Sequence, residues 1–385
     1  MRIIVFSVLA FGALLALAAQ ATQPQRPLRV GASVSRTGSL APAGEMYEKG
    51  LRLWQRDVNM RGGLLGRQVE LVLQDDASLP ARASEIYAAL IDDCAADVLL
   101  GPTDNSLAMA VAAVLERTQT PCLFAMPGSE SLWKNGKGLV FGLLAPMAEW
   151  PGGFFEVMAR AGYERMALVV VDHPLAETIR TNTERWSKRY GLRLTSQSLT
   201  GSRDISQALE QARLADAEVL TLWGTQEGCL RAIRTMKSMA WQPKAVYAST
   251  TMFHDNLRDL SVRDMNGIFT ATPWASRMAS VYPGGKDFVA SFQAAYSQEP
   301  EVLAASAYAG GQILEAALAR GRDTDKGAFR QALATLDTVT ILGRFGVDAT
   351  GMQLRQFPLT EQWQKGKLEI VWPEEMKTAK PALPR

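Results

Sequence analysis

Hydroxyl-bearing residues and glycines are concentrated in short polar loops, the first of which, Ser33–Ala43, has the sequence SVSRTGSLAPA. It contributes hydroxyls and backbone N–H groups at the start of a helix, where the positive end of the helix dipole favours a carboxylate or another anion. The same residue types also serve as ordinary caps and turns. The loop is thus suited to binding, and it offers no obvious nucleophile.

Six further segments rich in Ser, Thr, Gly, Asn and Pro follow predicted strands. In an open parallel sheet, ligands bind outside the carboxyl ends of the strands, so these segments are candidate walls of a binding site. They are Asp75–Ser78, Gly101–Ser106, Met126–Glu130, Asp172–Ala176, Trp223–Gln226 and Ala248–Thr251.

The usual parts of an enzyme site are missing from the sequence. The first predicted strand is not followed by G-x-G-x-x-G, and no G-x-x-x-x-G-K-[ST] occurs. His173 and His254 are the only histidines, too few for a zinc site or a His-based triad. Asp75 and Asp76 could hold a cation, or they could belong to a solvated loop or to a cap on the hinge side. We therefore predict no catalytic residue, no metal site and no cofactor.

The cysteines and tryptophans each allow two interpretations. Three cysteines are too few for a disulfide scaffold; Cys94 and Cys122 could pair in an oxidising compartment, or all three could be buried thiols. Three tryptophans could form a stacking cage for a ligand, but core packing explains each of them more simply. The residues concerned are Cys94, Cys122, Cys229, Trp150, Trp223 and Trp274.

The first 21 residues have the pattern of a secretory signal peptide. Arg2 precedes the apolar run IIVFSVLAFGALLALAA, and Ala19-Gln20-Ala21 is an A-x-A cleavage site, so the mature chain is expected to begin near Thr22. The alternative is an uncleaved anchor, because the run approaches the length of about 20 residues that spans a bilayer. Cleavage would leave 40 basic and 39 acidic residues, a balance that gives no reason to expect nucleic acid as a partner.

Strand and helix patterns alternate through most of the chain, which has 385 residues and is long enough for two compact lobes. The first helix has an apolar stripe at spacings of four, three and four. The next helix is predicted to begin with Ser78 as its N-cap and Pro80 at its first helical position. LTEQW and KLEIVWP predict a hairpin at a sheet edge. We expect an α/β fold with two doubly wound parallel-sheet lobes. The stripe residues are Tyr47, Leu51, Trp54 and Val58.

Five motifs occur in a fixed order: SVSRTGSLAPAGEMYEKGLRL, VNMRGGLLGRQVELVLQDDASLPARA, DVLLGPTDNSLAMAVAAVLERTQTPCLFAMPGSESL, AASAYAGGQILEAALARG and LGRFGVDATGM. Their order and spacing resemble the leucine/isoleucine/valine-binding protein family of periplasmic solute receptors, over nearly the whole mature chain. The resemblance implies a type I periplasmic binding protein, with ligand bound between two lobes and passed to an ABC-type permease.

The resemblance also implies a chain that crosses between the lobes three times. The expected N-terminal lobe comprises residues 28–147 and 274–345, and the expected C-terminal lobe comprises 148–273 and 346–385. The opening loop then forms part of the N-lobe wall of the cleft.

Family contacts, carried over position by position, give the expected ligand-binding residues. Those of the N-lobe are Ala43, Asn105 or Ser106, and the turn Gly128, Ser129 and Glu130, and those of the C-lobe are Ala176, Thr225 and Thr250.

Three of these positions depart from the family pattern. The aromatic wall residues are replaced by Ala43 and Ala176, and the acid that holds a ligand ammonium is replaced by Thr250. A buried ammonium without a counter-charge would cost several kcal/mol, so a neutral or acidic small metabolite fits better. Loss of the two aromatic residues enlarges the cleft, which also leaves room for a bulky metabolite. Glu130 could still receive an ammonium from the other lobe, which keeps amino acids open.

The sequence as a whole predicts an exported solute-binding receptor of an ABC importer, closing around a small amino acid-like or carboxylate metabolite. The expected partners are that ligand and a membrane permease, with no nucleic acid, and the receptor is expected to be a periplasmic monomer. Two rivals remain open: a ligand-sensing module of a signalling system on the same fold, and an enzyme on an α/β scaffold.

Overall fold

Strands and helices alternate along the protein, as a computed structural model shows. The predicted leader Met1–Ala21, the expected mature start at Thr22, and residues Cys94 and His254 lie outside the described residues. The structure describes residues 26–384 apart from 94, 127–129, 136, 174, 202, 240 and 250–264.

The first part of the chain forms a parallel sheet with its helices, which we call the N-lobe. Strand β1 pairs with β2 and β3, β4 pairs with β5, and the bridge between Leu100 and Leu123 joins the two groups into the order β2-β1-β3-β4-β5. The elements are β1 (Leu28–Val34), α1 (Ala41–Met60), β2 (Val69–Asp75), α2 (Pro80–Asp92), β3 (Val98–Leu99), α3 (Asn105–Thr118), β4 (Cys122–Phe124), α4 (Glu130–Asn135) and β5 (Val140–Gly142).

The middle of the chain repeats this arrangement in a second sheet, which we call the C-lobe. Its parallel strands lie in the order β7-β6-β8-β9-β10. The elements are α5 (Gly152–Arg160), β6 (Arg165–Val171), α6 (Ala176–Tyr190), β7 (Arg193–Thr200), α7 (Ile205–Leu214), β8 (Val219–Gly224), α8 (Gln226–Ser238), β9 (Ala245–Ala248) and β10 (Ile268–Thr272).

The last part of the chain returns to the N-lobe and then completes the C-lobe sheet. The predicted hairpin is confirmed: its strands β13 and β14 pair antiparallel and extend that sheet beyond β10. The elements are α9 (Gly285–Tyr296), α10 (Val302–Gly321), α11 (Lys326–Thr335), β11 (Thr338–Thr340), β12 (Gly343–Phe345), β13 (Leu359–Gln364) and β14 (Lys367–Trp372).

Apolar periodicity explains how the N-lobe helices pack. The predicted stripe of α1 is confirmed, because Tyr47, Leu51, Trp54 and Val58 are all at most 1% exposed. Helix α10 packs along α1 and is long and apolar enough to cross a bilayer, but 72% of its apolar window is buried inside the protein. Burial of that window gives α10 the character of a core helix.

The tryptophans and cysteines belong to the cores. Trp150, Trp223 and Trp274 are 1%, 2% and 3% exposed, which confirms core packing as their explanation. Cys122 and Cys229 are buried free thiols, and burial raises the pKa of each.

Three connecting segments join the lobes, and one buried side chain links all three. They follow β5, β10 and β12. Gln356, on the third segment, accepts a hydrogen bond from the Ala145 backbone N–H at 3.3 Å and donates one to the Pro273 carbonyl at 3.1 Å. Gln353 adds a bond to the Leu143 carbonyl at 2.9 Å. The segments therefore form one hydrogen-bonded unit at the point where a hinge would bend.

Candidate functional site

The strand order reverses at the same place in both sheets. In the N-lobe the chain runs from β1 outward to β2 and then to β3 on the other side of β1, and in the C-lobe β6, β7 and β8 repeat this pattern. In open α/β sheets, ligands bind in the crevice formed at such a switch point. The helices that follow these strands begin close to Ala43, Asn105, Ala176 and Thr225.

The polar loop after β1 is anchored by the two neighbouring aspartates. Asp76 is fully buried, and its carboxylate accepts hydrogen bonds from the hydroxyls of Ser33 at 2.7 Å and Ser35 at 2.6 Å. Asp75 accepts from the Arg36 backbone N–H at 2.9 Å and the Thr37 hydroxyl at 2.8 Å. The pair therefore caps the loop after β1, and the expectation of a solvated loop is wrong for the buried Asp76.

The pKa of Asp75 reflects these bonds. Desolvation raises it, but hydrogen bonds from the Ala77 backbone N–H and the Thr37 hydroxyl have the larger combined effect and lower it below its usual value. Asp75 is thus held as the carboxylate that shapes the loop.

Helix α1 begins in close contact with this loop because of a glycine. A Cβ atom at Gly44 would lie 2.0 Å from the Ser35 carbonyl oxygen, closer than any real contact. Ala43, just before it, is partly buried against the N-lobe core. The small residues therefore let the first turn of α1 approach the end of β1, as a site at the switch point requires.

The predicted N-cap at Ser78 is wrong. Helix α2 does begin at Pro80 as expected, but its N-cap is Leu79, and Ser78 has a left-handed backbone with φ of 62°. Its hydroxyl instead donates to the Thr37 carbonyl at 2.8 Å and accepts from the Leu40 backbone N–H at 3.0 Å. The side chain is used to tie two loops together, which the local sequence pattern does not reveal.

Asn105 and Ser106 form the first turn of α3. Asp104 is the N-cap, and its carboxylate accepts from the Ser106 backbone N–H at 2.7 Å. Ser106 is exposed and Asn105 is partly buried. The Tyr47 hydroxyl donates to the Gly101 carbonyl at 2.9 Å, so the loop leading into α3 is held against α1.

Glu130 joins the two lobes. Its Oε1 accepts a hydrogen bond at 3.0 Å from Nδ2 of Asn182, a side chain on α6 that is only 7% exposed. The sequence did not single out Asn182, because a polar residue within an amphipathic helix gives no sign of a distant partner. The two other predicted residues of this turn, Gly128 and Ser129, lie outside the described residues.

An ion pair lies next to this hydrogen bond. Glu149 pairs with Arg185 of α6. Burial raises the pKa of Glu149, Arg185 lowers it, and the negative charge of Glu130 raises it again. Glu130 and Glu149 therefore share one electrostatic environment on the α6 side of the site.

The C-lobe contributes helix starts of the same kind. The exposed Thr225 is the N-cap of α8, and its hydroxyl accepts from the Gly228 backbone N–H at 3.1 Å. Ala176 is the first residue of α6 and packs partly against the C-lobe core. Nδ1 of His173 accepts from the Leu175 backbone N–H at 3.1 Å, and burial lowers the pKa of this imidazole. The third predicted C-lobe residue, Thr250, lies outside the described residues.

The polar groups at these helix starts are of the kinds that bind small solutes. Within the described part of the chain, no three His, Cys, Asp or Glu side chains are grouped closely enough to hold a metal ion. Helix starts, hydroxyls and the Glu130 carboxylate come from opposite lobes, and such groups can receive a small polar solute.

Comparison with protein families agrees with this geometry. A family model described as periplasmic binding protein matches residues 27–366. A Leu/Ile/Val-binding protein homolog of Brucella abortus is 21% identical, with 96% of this chain and 97% of that protein covered. An amino acid binding protein of Pseudomonas aeruginosa is 22% identical, with 88% and 91% covered.

Solved structures show the same fold. The substrate-binding protein LivJ of Streptococcus pneumoniae, in complex with isoleucine, aligns with a TM-score of 0.74 at 19% identity, covering 90% of this chain and all of that one. A solute-binding protein of an R. palustris ABC transporter, in complex with benzoate, aligns with a TM-score of 0.71 at 20% identity, covering 93% and 98%. Both likenesses place the described lobes in the type I arrangement.

Proposed function

Because the chain belongs to the periplasmic binding protein family, we propose that it is an extracytoplasmic solute-binding receptor of an ABC importer. It binds a small amino acid-like or carboxylate metabolite between its lobes and closes by bending at the three connecting segments. The bound solute is then delivered to a membrane permease.

The observation that carries this proposal is the repeated switch point. Both lobes present helix starts where their strand order reverses, and four of the positions expected from the family lie at or beside those helix starts: Ala43, Asn105, Ala176 and Thr225. A solute held there touches both lobes, so its binding favours the closed arrangement through contacts that the open one lacks.

The helix starts at these positions favour a solute with a carboxylate. Helix starts at α1, α3, α6 and α8 offer N–H donors and positive dipole ends. The isoleucine of one structural relative and the benzoate of another both carry this group. Ala43 and Ala176 leave room where the family has aromatic rings, which favours a bulkier solute than a branched-chain amino acid.

Glu130 is the expected contact that could bind an ammonium group of the ligand. Its carboxylate is the one acid among the expected contacts, and Asn182 fixes its position with the 3.0 Å hydrogen bond. An amino acid-like ligand would place its ammonium there, whereas a simple carboxylate would avoid it.

The remaining expectations belong to the same proposal. The leader Met1–Ala21 exports the chain to the periplasm, and the mature receptor acts as a monomer that binds no nucleic acid. The N-lobe comprises residues 28–147 and 274–345, and the C-lobe comprises 148–273 and 346–385. The bound solute leaves chemically unchanged.

A thermal-shift screen over amino acids, aromatic and aliphatic carboxylates, alcohols, amides and polyamines tests the proposal. A ligand at about 100 times its dissociation constant should add roughly 2.7 kcal/mol to the free energy of unfolding. Incubation of that ligand with the protein should then return it quantitatively. Catalytic loss of the ligand would favour an enzyme and overturn the receptor assignment.

A further inference from the structure

A cavity of about 530 Å³ lies beside the connecting segments, away from the helix starts described above. Three parts of the chain form its walls: the segment after β10 around Trp274 and Arg277, the start of α10 at Pro300–Val302, and the β13–β14 hairpin. Its described lining contains none of the expected ligand contacts. It is therefore a separate space, bounded by segments from both lobes.

A buried carboxylate faces this cavity. Glu361 of β13 is fully buried, and its Oε1 forms an ion pair with the guanidinium of Arg277. Neither carboxylate oxygen has a partner of hydrogen-bond geometry among the described residues, so the pair is held by charge. An ionised carboxylate can accept about four hydrogen bonds, and Oε2 in particular has capacity for a further donor. Burial makes that vacancy costly.

Two indole groups also line the cavity. Nε1 of Trp274 and Nε1 of Trp363 are buried, and within the described residues neither finds an acceptor. Buried indole N–H groups usually donate a hydrogen bond. Pro300, Val302 and Leu368 supply apolar surface between these polar points. A ligand that matches this cavity would therefore carry one hydrogen-bond donor, acceptor atoms for the indole N–H groups, and an apolar body.

The charges of the lining indicate which sign the donor carries. Glu301, Glu361 and Glu369 oppose Arg277 and Lys367, which leaves one net negative charge. Burial lowers the pKa of Arg277, and Glu369 raises it, so this space is desolvated enough for its charges to act on one another. A cation is favoured over an anion or a neutral solute.

We propose that this cavity is a second ligand site, which takes a protonated amine bearing a neutral oxygen, as an amino alcohol does. The ammonium donates to Oε2 of Glu361, the neutral oxygen accepts from the indole N–H groups, and the apolar body lies against Val302 and Leu368. Since both lobes contribute walls, occupancy favours whichever lobe arrangement holds those walls together.

Isothermal titration calorimetry with phenylglycinol tests the proposal on the mature protein. Phenylethanol is the matched control compound, because it lacks only the amine. We expect phenylglycinol to bind with one site and at least tenfold more tightly than phenylethanol. We also expect Glu361→Gln to weaken the binding of phenylglycinol at least tenfold. Glu375→Gln removes an exposed carboxylate outside the cavity and should leave the affinity for phenylglycinol unchanged.

A second variant guards against misfolding of Glu361→Gln. Lys367 is exposed at the hairpin and lines the cavity. Lys367→Glu should bring a negative charge to the cavity mouth and raise the affinity for phenylglycinol severalfold. Equal affinity in Glu361→Gln and Glu375→Gln, no tightening in Lys367→Glu, or no binding of phenylglycinol at millimolar concentration would each overturn the site. None of these results depends on the solute bound at the switch points.

Discussion

Asn182 forms a side-chain hydrogen bond between the two lobes. Its amide donates to Glu130, a hydrogen bond to a charged group, and such bonds contribute about 1.5–3 kcal/mol when formed. Because the two partners lie on different lobes, this bond helps to hold the lobes together. It also fixes the position of Glu130, the one acid among the expected ligand contacts.

We expect Asn182→Ala to weaken binding of the solute about tenfold, equivalent to about 1.4 kcal/mol, with a small effect on melting temperature. Asn182→Asp should weaken it further, because two carboxylates would then face each other. Ser187→Ala is the matched control, since Ser187 is buried on the same helix and contacts Met166 within its own lobe. Calorimetry on the three variants measures this, and wild-type affinity in Asn182→Asp would contradict it.

Burial of His173 makes the stability of the folded protein depend on pH. Burial lowers the pKa of its imidazole in the folded protein, whereas in the unfolded chain it titrates at roughly 6.5. The unfolded state therefore binds the proton first as the pH falls. The contribution of neutral His173 to the free energy of unfolding is complete above about pH 6.5 and is lost as the pH falls from there through the lower pKa of the folded protein.

We expect the fall in melting temperature from about pH 7.5 to about pH 5.5 to be smaller in His173→Asn than in the wild type. Asparagine keeps an acceptor near the position of Nδ1 and does not titrate. The comparison at the higher pH serves as the control for the loss of the ring. An identical fall in both proteins would show that His173 is not the group responsible.

At the scale of elements, the start of α1 depends on a close approach of helix and loop. A Cβ atom at Gly44 would collide with the Ser35 carbonyl, whereas one at Gly310 of α10 would meet its nearest atom at 3.5 Å. Gly44→Ala should therefore displace the loop after β1 and weaken binding of the solute. Gly310→Ala should be tolerated and should raise the helix propensity of α10. Affinity and melting temperature together measure this, and equal behaviour of both variants would refute it.

The connecting segments are joined by Gln356. Gln356→Met keeps the approximate size of the side chain but leaves the Ala145 N–H and the Pro273 carbonyl without this partner, at about 1–3 kcal/mol for each buried group. We expect the free energy of unfolding in urea to fall accordingly. Gln211→Met, at an exposed position on α7, should change it little. If both variants unfold at the same urea concentration, Gln356 does not hold the segments together.

Local patterns predicted the elements well and their tertiary partners poorly. The stripe of α1 and the β13–β14 hairpin were visible because apolar periodicity and turn residues act over a few neighbours. Ser78 was misassigned because its hydroxyl serves a loop about 40 residues away. Gln356 and Asn182 gave no signal, since a lone polar residue does not reveal that it will be buried opposite a distant backbone or carboxylate.

At the scale of the whole molecule, the repeated strand order of the two sheets places matching helix starts at corresponding switch points. Sequence order alone could not show this, because strand neighbours are set by long-range pairing. The resemblance to a receptor family supplied the expectation, and the bridge between Leu100 and Leu123 with the pairing of β6 and β8 supplies the geometry.

Closure on a ligand is the central claim, and small-angle X-ray scattering measures it most directly. The radius of gyration of the mature protein would be compared without ligand and with a saturating amount of the solute found by thermal shift. A solute that touches both lobes should lower it, because the closed arrangement gains contacts that the open one lacks. A solute that stabilises the protein while leaving the radius of gyration unchanged would contradict the account.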